Sequence, residues 1–177
     1  LTIASGNVDL AADVDLTGLS VAADNATNNV GSINLSGAGT SIVTGTGGSV
    51  SIADVTDSAA ANLTVSAATD ATVMAITLDA GGAGVLNITA DDDDNTAAST
   101  LTVNGAIAAD GAVTLAGGTD NDDLMDINAD VTWMAALVLQ NTAGADLAAN
   151  VDLTGLSVTA TNAVTGLNLS GAGTNLI

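Results

Sequence analysis

The chain of 177 residues contains no Lys, Arg or His, so nothing offsets its 20 acidic groups and the formal net charge is -20. Every one of these acids is Asp, and no salt bridge between side chains can form within one copy. Nucleic-acid phosphates and anionic lipid head groups are bound by Lys and Arg, and a polyanion that lacks both is repelled by them. The composition therefore excludes nucleic acid and acidic membranes as partners.

Catalytic side chains are equally scarce. Because His, Cys, Lys and Tyr are all absent, neither a Ser-His-Asp triad nor a Cys-His pair can be built. Two Asp carboxylates can in principle cleave a glycosidic bond, but a single Trp is the only aromatic residue available as a sugar platform. We therefore expect the chain not to be an enzyme, with an Asp-dependent carbohydrate-active enzyme as the one catalytic alternative.

What the chain does contain is small apolar residues. Hydrophobic residues make up 47% of the sequence, which argues against a disordered acidic tail. They are mostly Ala, Val, Leu and Ile, so we expect a thin core of small side chains. The longest strictly apolar run, Trp133 to Leu139, is too short to span a bilayer, and membrane insertion is not expected.

A long internal repeat is the strongest signal in the sequence. Residues 11–21 read AADVDLTGLSV and return as AANVDLTGLSV at residues 148–158, which start 137 positions later. A second pair, INLSGAGTSI at 33–42 and LNLSGAGTNL at 167–176, is offset by 134. Residues 1–147 are therefore predicted to be one long repeat of about 137 residues, and residues 148–177 the start of the next copy. We expect the chain to be a fragment of a longer repetitive protein.

A shorter rhythm predicts β-strands. Apolar-polar-apolar triplets such as Leu63-Thr64-Val65 have the period of two that is typical of a strand with one buried face. Gly, Asn, Asp, Ser and Thr clusters, which favour turns, separate them. The sequence therefore predicts an all-β fold. The triplets begin at Val8, Val14, Leu19, Ile33, Leu63, Ile76, Leu86, Leu101, Val113 and Leu137.

Two all-β architectures fit this rhythm. A parallel β-solenoid, or β-helix, is favoured because it needs only Val, Leu, Ile and Ala stacked turn on turn. The alternative is an array of Ig-like antiparallel β-sandwiches. Asn104-Gly105 and Asp110-Gly111 lie between triplets and are typical of β-hairpins, which supports that alternative.

Stretches such as LTVNGAIAADGAVTLAGG and NVDLTGLSVTATNAVTGLNLSGAGT resemble the β-strand-repeat regions of large bacterial surface proteins. Filamentous-haemagglutinin-like adhesins, autotransporter passengers and surface-layer proteins share this texture. The resemblance covers nearly the whole chain. It implies an elongated, β-rich, extracellular or cell-surface protein with a structural or adhesive role.

Two acidic loops are candidate metal sites. They hold seven of the 20 carboxylates, and calcium prefers six to eight oxygen ligands of this kind. The alternative is solvated acidic loops that keep strands from pairing edge to edge. The second loop also resembles one calcium-binding RTX nonapeptide, with Gly117, Gly118, Asp122 and an inward-pointing Leu124 matching and Asp120 replacing a glycine. The predicted calcium ligands are Asp91, Asp92, Asp93, Asp94, Asp120, Asp122 and Asp123.

The expected function is a structural repeat segment of an extracellular filament, sheath or surface layer, stabilised by calcium. A non-catalytic stalk of a giant cell-surface adhesin is the alternative. The expected partners are identical or neighbouring repeat copies, through self-assembly, and divalent cations.

Overall fold

A computed structural model gives the fold of the chain. It describes residues 4–5, 9–10, 14–15, 20–23, 26–82, 84–93, 97–118, 120, 122–133, 137–140, 143–147, 157–159 and 166–168. These residues contain 22 strands and no helix. None of these segments is therefore a helix that could cross a membrane.

The strands form three parallel sheets, which the chain visits in turn as A, B and C before it returns to A one turn further along. This arrangement is a parallel β-solenoid, and the favoured fold prediction is confirmed. Sheet A contains β1 (Ala4–Ser5), β4 (Ser20–Ala23), β7 (Gly39–Gly45), β10 (Ala61–Ala67), β13 (Leu86–Thr89), β16 (Val113–Ala116), β19 (Leu137–Gln140) and β21 (Ser157–Thr159).

Sheets B and C complete each turn. Sheet B contains β2 (Asp9–Leu10), β5 (Thr27–Val30), β8 (Ser49–Ile52), β11 (Ala71–Val73), β14 (Thr100–Val103), β17 (Leu124–Ile127), β20 (Gly144–Leu147) and β22 (Gly166–Asn168). Sheet C contains β3 (Val14–Asp15), β6 (Ile33–Leu35), β9 (Val55–Asp57), β12 (Ile76–Leu78), β15 (Ile107–Ala109) and β18 (Val131–Trp133).

The core is a set of apolar rows that run along the solenoid. In most strands whose burial the structure describes, the side chains alternate between the interior and the surface, and the parallel register places like positions beside one another. These rows confirm the expected core of small aliphatic side chains, each covered by the turns on either side. The row inside sheet A is Val21, Val43, Val65, Ile88, Leu115 and Leu139, and the row inside sheet C is Ile33, Val55, Ile76, Ile107 and Val131.

The alternative of antiparallel β-sandwiches is wrong. Gly105 shows why the Asn104-Gly105 dipeptide, which is typical of a β-hairpin, occurs here without one. Asn104-Gly105 lies at the corner between sheet B and sheet C, where the chain turns towards the next sheet without reversing beside itself. A Cβ on Gly105 would come within 3.0 Å of the backbone of Met74 and Ala75 in the turn below. Glycine is therefore needed there because stacked corners approach closely, and the same dipeptide is compatible with both folds.

The 137-residue repeat can be followed along sheet A. Ser20 in β4 and Ser157 in β21 are equivalent residues of the repeat, and six strand-to-strand steps separate these two strands in sheet A. The second pair of similar segments does not keep the same sheet. Ile33 lies in sheet C, whereas its counterpart Leu167, offset by 134 residues, lies in sheet B. The boundaries of the long repeat remain a prediction.

Candidate functional site: the A–B corner

Both acidic loops lie where the chain passes from sheet A to sheet B, which we call the A–B corner. Successive turns make this corner from residues 46–48, 68–70, 90–99 and 117–123. The first two segments have three residues each, whereas the third has ten and the fourth seven. Two acidic stretches that are far apart in the sequence are therefore stacked on consecutive turns.

The first loop begins with a buried carboxylate. Asp91 is 3% exposed and has a φ of 51°, in the left-handed region that Asp tolerates better than most residues. Its backbone N–H donates to Thr69 O at 3.0 Å, which ties the loop to the turn below. Asp92 and Asp93 are exposed, and Asp94 lies outside the described residues.

The second loop folds around Asp123, which is 0% exposed. Its Oδ1 accepts a hydrogen bond from Ser99 N–H at 3.0 Å, and its Oδ2 accepts one from Asp120 N–H at 2.9 Å. The carbonyl oxygen of Asp123 accepts a hydrogen bond from Ala143 N–H at 2.9 Å, in the turn above. One residue therefore connects three turns of the solenoid at this corner.

The two buried carboxylates converge beside Gly118. A Cβ on Gly118 would lie within 3.0 Å of Asp91 Oδ2 and of Asp123 Oδ2. Glycine is therefore required for both carboxylates to reach this point. We call Asp91 and Asp123 the buried acidic pair.

The other predicted ligands that the structure describes are less buried than this pair. Asp122 is exposed and Asp120 is half-buried. Within the ranges that the structure describes, no group of three or more acidic side chains is placed to hold a single metal ion. The metal ligand assignment of Asp91, Asp92, Asp93, Asp94, Asp120, Asp122 and Asp123 therefore stays a prediction, with Asp91 and Asp123 as its buried members.

The RTX-like alignment of this loop is wrong by one residue. It requires Leu124 to point inward, but Leu124 is 48% exposed and its neighbour Met125 is 1% exposed. The pairing of β17 with β14 determines which side chains of β17 point inward. Met125 lies beside Leu101 and Ile127 lies beside Val103, and Leu101 and Val103 both face the core. The inward acid of this loop is accordingly Asp123 and not Asp122.

Sequence reasoning missed a second role of the acids, which is to bond backbone groups of neighbouring turns. Asp54 Oδ1 accepts from Ala75 N–H at 3.3 Å, and Asp70 Oδ1 accepts from Thr100 N–H at 2.8 Å. These residues lie at corners, where a strand has ended and backbone N–H groups need acceptors. The short Asp side chain is suited to this because it keeps the carboxylate close to the backbone. Asp54 and Asp70 each stand directly before a strand, and this position is the signal that could have revealed the role.

Asp57 shows the same bond at the corner between sheet C and sheet A. Its Oδ1 accepts hydrogen bonds from Asp79 N–H at 3.2 Å and from Ala80 N–H at 3.1 Å. Corner carboxylates thus stabilise the stacking of turns in a chain that cannot form salt bridges between its side chains.

The fold and corner define a parallel β-solenoid with acidic corners, a β-strand-repeat region in the broad sense. Comparison with known proteins finds no matching protein family, no matching curated protein and no matching solved structure.

Proposed function

We propose that this chain is a structural repeat segment of an extracellular filament, sheath or surface layer. The proposal is supported by the agreement between the long sequence repeat and the continuous solenoid. Ser20 and Ser157 are equivalent residues of the repeat, and they lie in the same sheet, six strands apart. Strands in such a sheet are about 4.8 Å apart, so these six steps extend the body by about 29 Å. A repeat of this kind lengthens a rod and requires no catalytic residue.

Calcium is part of this proposal. Two buried carboxylates converge beside Gly118 in a chain that has no cationic side chain to neutralise them. Two unit charges 4 Å apart repel by about 1 kcal/mol in water and by more where water is excluded. A divalent cation bound near the buried acidic pair relieves this repulsion, and the adjoining loop acids and backbone carbonyls supply the kind of oxygen that calcium prefers.

The calcium proposal predicts a higher melting temperature in calcium than in excess chelator, measured by far-UV circular dichroism at matched ionic strength. Asp91→Asn should reduce this calcium-dependent rise, because it removes one charge of the buried acidic pair. Asp79→Asn removes one charge at an exposed position of another corner and should leave the rise unchanged. Equal melting curves with calcium and with chelator would contradict the proposal.

The assembly proposal is tested by electron microscopy of the purified chain in calcium. Regular filaments or sheets are the expected result. Isolated rods that stay monomeric as the concentration rises would contradict an assembling role and favour the alternative of an adhesin stalk.

A further inference from the structure

An open cavity of about 400 Å³ lies on the outer surface of sheet B. Its lining is mostly apolar. Its volume falls within the range of small-molecule sites in proteins, about 300–1,000 Å³. Three neighbouring strands, β14, β17 and β20, contribute the outward residues of this lining, which are Thr100, Leu124, Asp126, Gly144 and Asp146.

The apolar part of the cavity is formed where a glycine follows a leucine in the stack of strands. Thr100, Leu124 and Gly144 occupy the same outward position on successive strands. Gly144 has no side chain that could cover the flank of Leu124. Leu124 is 48% exposed, more than any other large hydrophobic residue in the part of the chain that the structure describes. One side of the cavity is therefore an apolar surface without a covering group.

The other side of the cavity carries two carboxylates. Asp126 and Asp146 are paired in register on β17 and β20, so their backbones are about 4.8 Å apart. Asn128 Nδ2 donates hydrogen bonds to Asp126 Oδ2 at 3.0 Å and to Asn104 Oδ1 at 3.1 Å, which connects the Asp126 carboxylate to the turn below. Both acids lie two residues along the strand from the apolar position, a distance of about 7 Å.

This arrangement of charge and apolar surface selects the class of ligand. Two negative charges favour a cation, and the exposed leucine beside them favours an aliphatic stem attached to that cation, as in a lysine side chain. A compact ammonium has three N–H donors and can be shared between two carboxylates, whereas a planar guanidinium fits a single carboxylate best. The chain contains no Lys, Arg or His, so a second copy has no side chain of this kind.

We infer that the cavity on sheet B binds an aliphatic primary ammonium, presented as a lysine side chain by a different protein. The stem lies over Gly144 against Leu124, and the ammonium group lies between Asp126 and Asp146. A free amine makes the same contacts, but exposed ion pairs are weak, and a lysine gains from further contacts of its own protein. The inference goes beyond the proposed function and holds whether or not the chain assembles with itself.

The test is an NMR titration of the backbone amides of the whole chain in excess chelator. The probe is n-butylammonium chloride, which matches the lysine side chain. Saturable shifts are expected at residues 124–126 and 144–146, with a Kd on the order of 1 mM. Ammonium chloride lacks the stem and n-butanol lacks the charge, so each should bind at least about fivefold more weakly. Equal binding of either control compound would overturn the inference, and this comparison needs no variant.

Charge-matched variants separate this site from the general negative field of the chain. Asp146→Asn and Asp79→Asn each remove one negative charge, but Asp79 is exposed at the corner between sheet C and sheet A. Asp146→Asn should weaken binding of n-butylammonium at least about threefold, whereas Asp79→Asn should stay within about twofold of wild type. If both variants weaken binding equally, the probe responds to net charge alone and the cavity is not its site.

A third variant tests the contact with the stem. Leu124→Thr keeps a strand-forming residue at this exposed position. It should weaken the binding of n-butylammonium and leave that of ammonium chloride unchanged. Unchanged binding of n-butylammonium would mean that the stem does not lie against Leu124, contrary to the inference.

The source of the ammonium is tested with Nα-acetyl-lysine N-methylamide, in which the stem is attached to a peptide. This compound should bind at least as tightly as n-butylammonium. If n-butylammonium binds and the lysine compound does not, the cavity takes free amines only, and its assignment to a lysine of a partner protein is refuted.

Discussion

Replacing Asp123 by Ala should destabilise the solenoid far more than replacing its neighbour Asp122. Asp123 is fully buried and accepts hydrogen bonds from the backbones of Ser99 and Asp120, whereas Asp122 is exposed in the same loop. Both variants remove one negative charge at nearly the same place. Their difference therefore measures the buried hydrogen bonds and not the net charge.

The expected size of the effect follows from the two hydrogen bonds. Ser99 is 1% exposed, so its N–H would lose its acceptor in a place that water does not reach, at a cost of about 1–3 kcal/mol. Asp120 is half-buried, and its N–H can bond to water instead, at a cost of about 0.5–1 kcal/mol. Relief of the repulsion from Asp91 offsets about 1 kcal/mol of this loss. The free energy of unfolding should therefore fall by about 0.5–3 kcal/mol in chelator.

The assay is urea unfolding followed by far-UV circular dichroism, with hydrogen exchange to locate the change at the A–B corner. Asp122→Ala should shift the free energy of unfolding by less than about 0.5 kcal/mol, as expected for an exposed site. Asp123→Asn keeps one carbonyl acceptor and should fall between the two. If Asp123→Ala is no less stable than Asp122→Ala, the hydrogen bonds of Asp123 do not hold this corner together.

Two further predictions concern the core and the stacked corners. Leu63→Ala removes a fully buried side chain in the middle of sheet A and should lower the free energy of unfolding by about 2–5 kcal/mol in urea unfolding, whereas Thr64→Ala at the adjacent outward position should cost less than about 1 kcal/mol. Gly105→Ala should lower the melting temperature more than Gly82→Ala. A Cβ on Gly105 would meet backbone atoms within 3.0 Å, whereas a Cβ on Gly82 would meet no atom within 4 Å, so that Gly82→Ala is disfavoured by its φ of 77° alone. Equal effects of Leu63→Ala and Thr64→Ala, or of the two glycine variants, would contradict the described packing.

The strand pattern could be predicted from the sequence wherever large aliphatic residues mark the buried face. Ile33–Leu35 and Ile76–Leu78 are strands with the predicted bounds. Strands whose inward residues are small lack the apolar-polar-apolar triplet, and β7 is an example. Ser41 faces the core and Ile42 is 37% exposed, because the register with β10 fixes the phase of the strand. Hydropathy alone assigns the wrong face to such a strand.

The candidate site could be predicted only in part. The sequence shows two acidic stretches, but their stacking at one corner depends on how many residues each turn contains. The choice between Asp122 and Asp123 likewise depends on parallel register, which pairs Met125 with Leu101. The bonding role of Asp54 and Asp70 was missed because it joins residues 21 and 30 positions apart, across a turn of the solenoid.

The unequal length of the A–B corner has a consequence for how such a chain can change in evolution. The corner has three residues at 46–48 and ten at 90–99. Leu86, in the strand before the longer loop, and Leu101, in the strand after it, are nevertheless both buried and paired in register with the preceding turn. Insertions at this corner are therefore absorbed without displacing a strand. New loops, and new surface chemistry with them, can be acquired there one turn at a time while the scaffold stays the same.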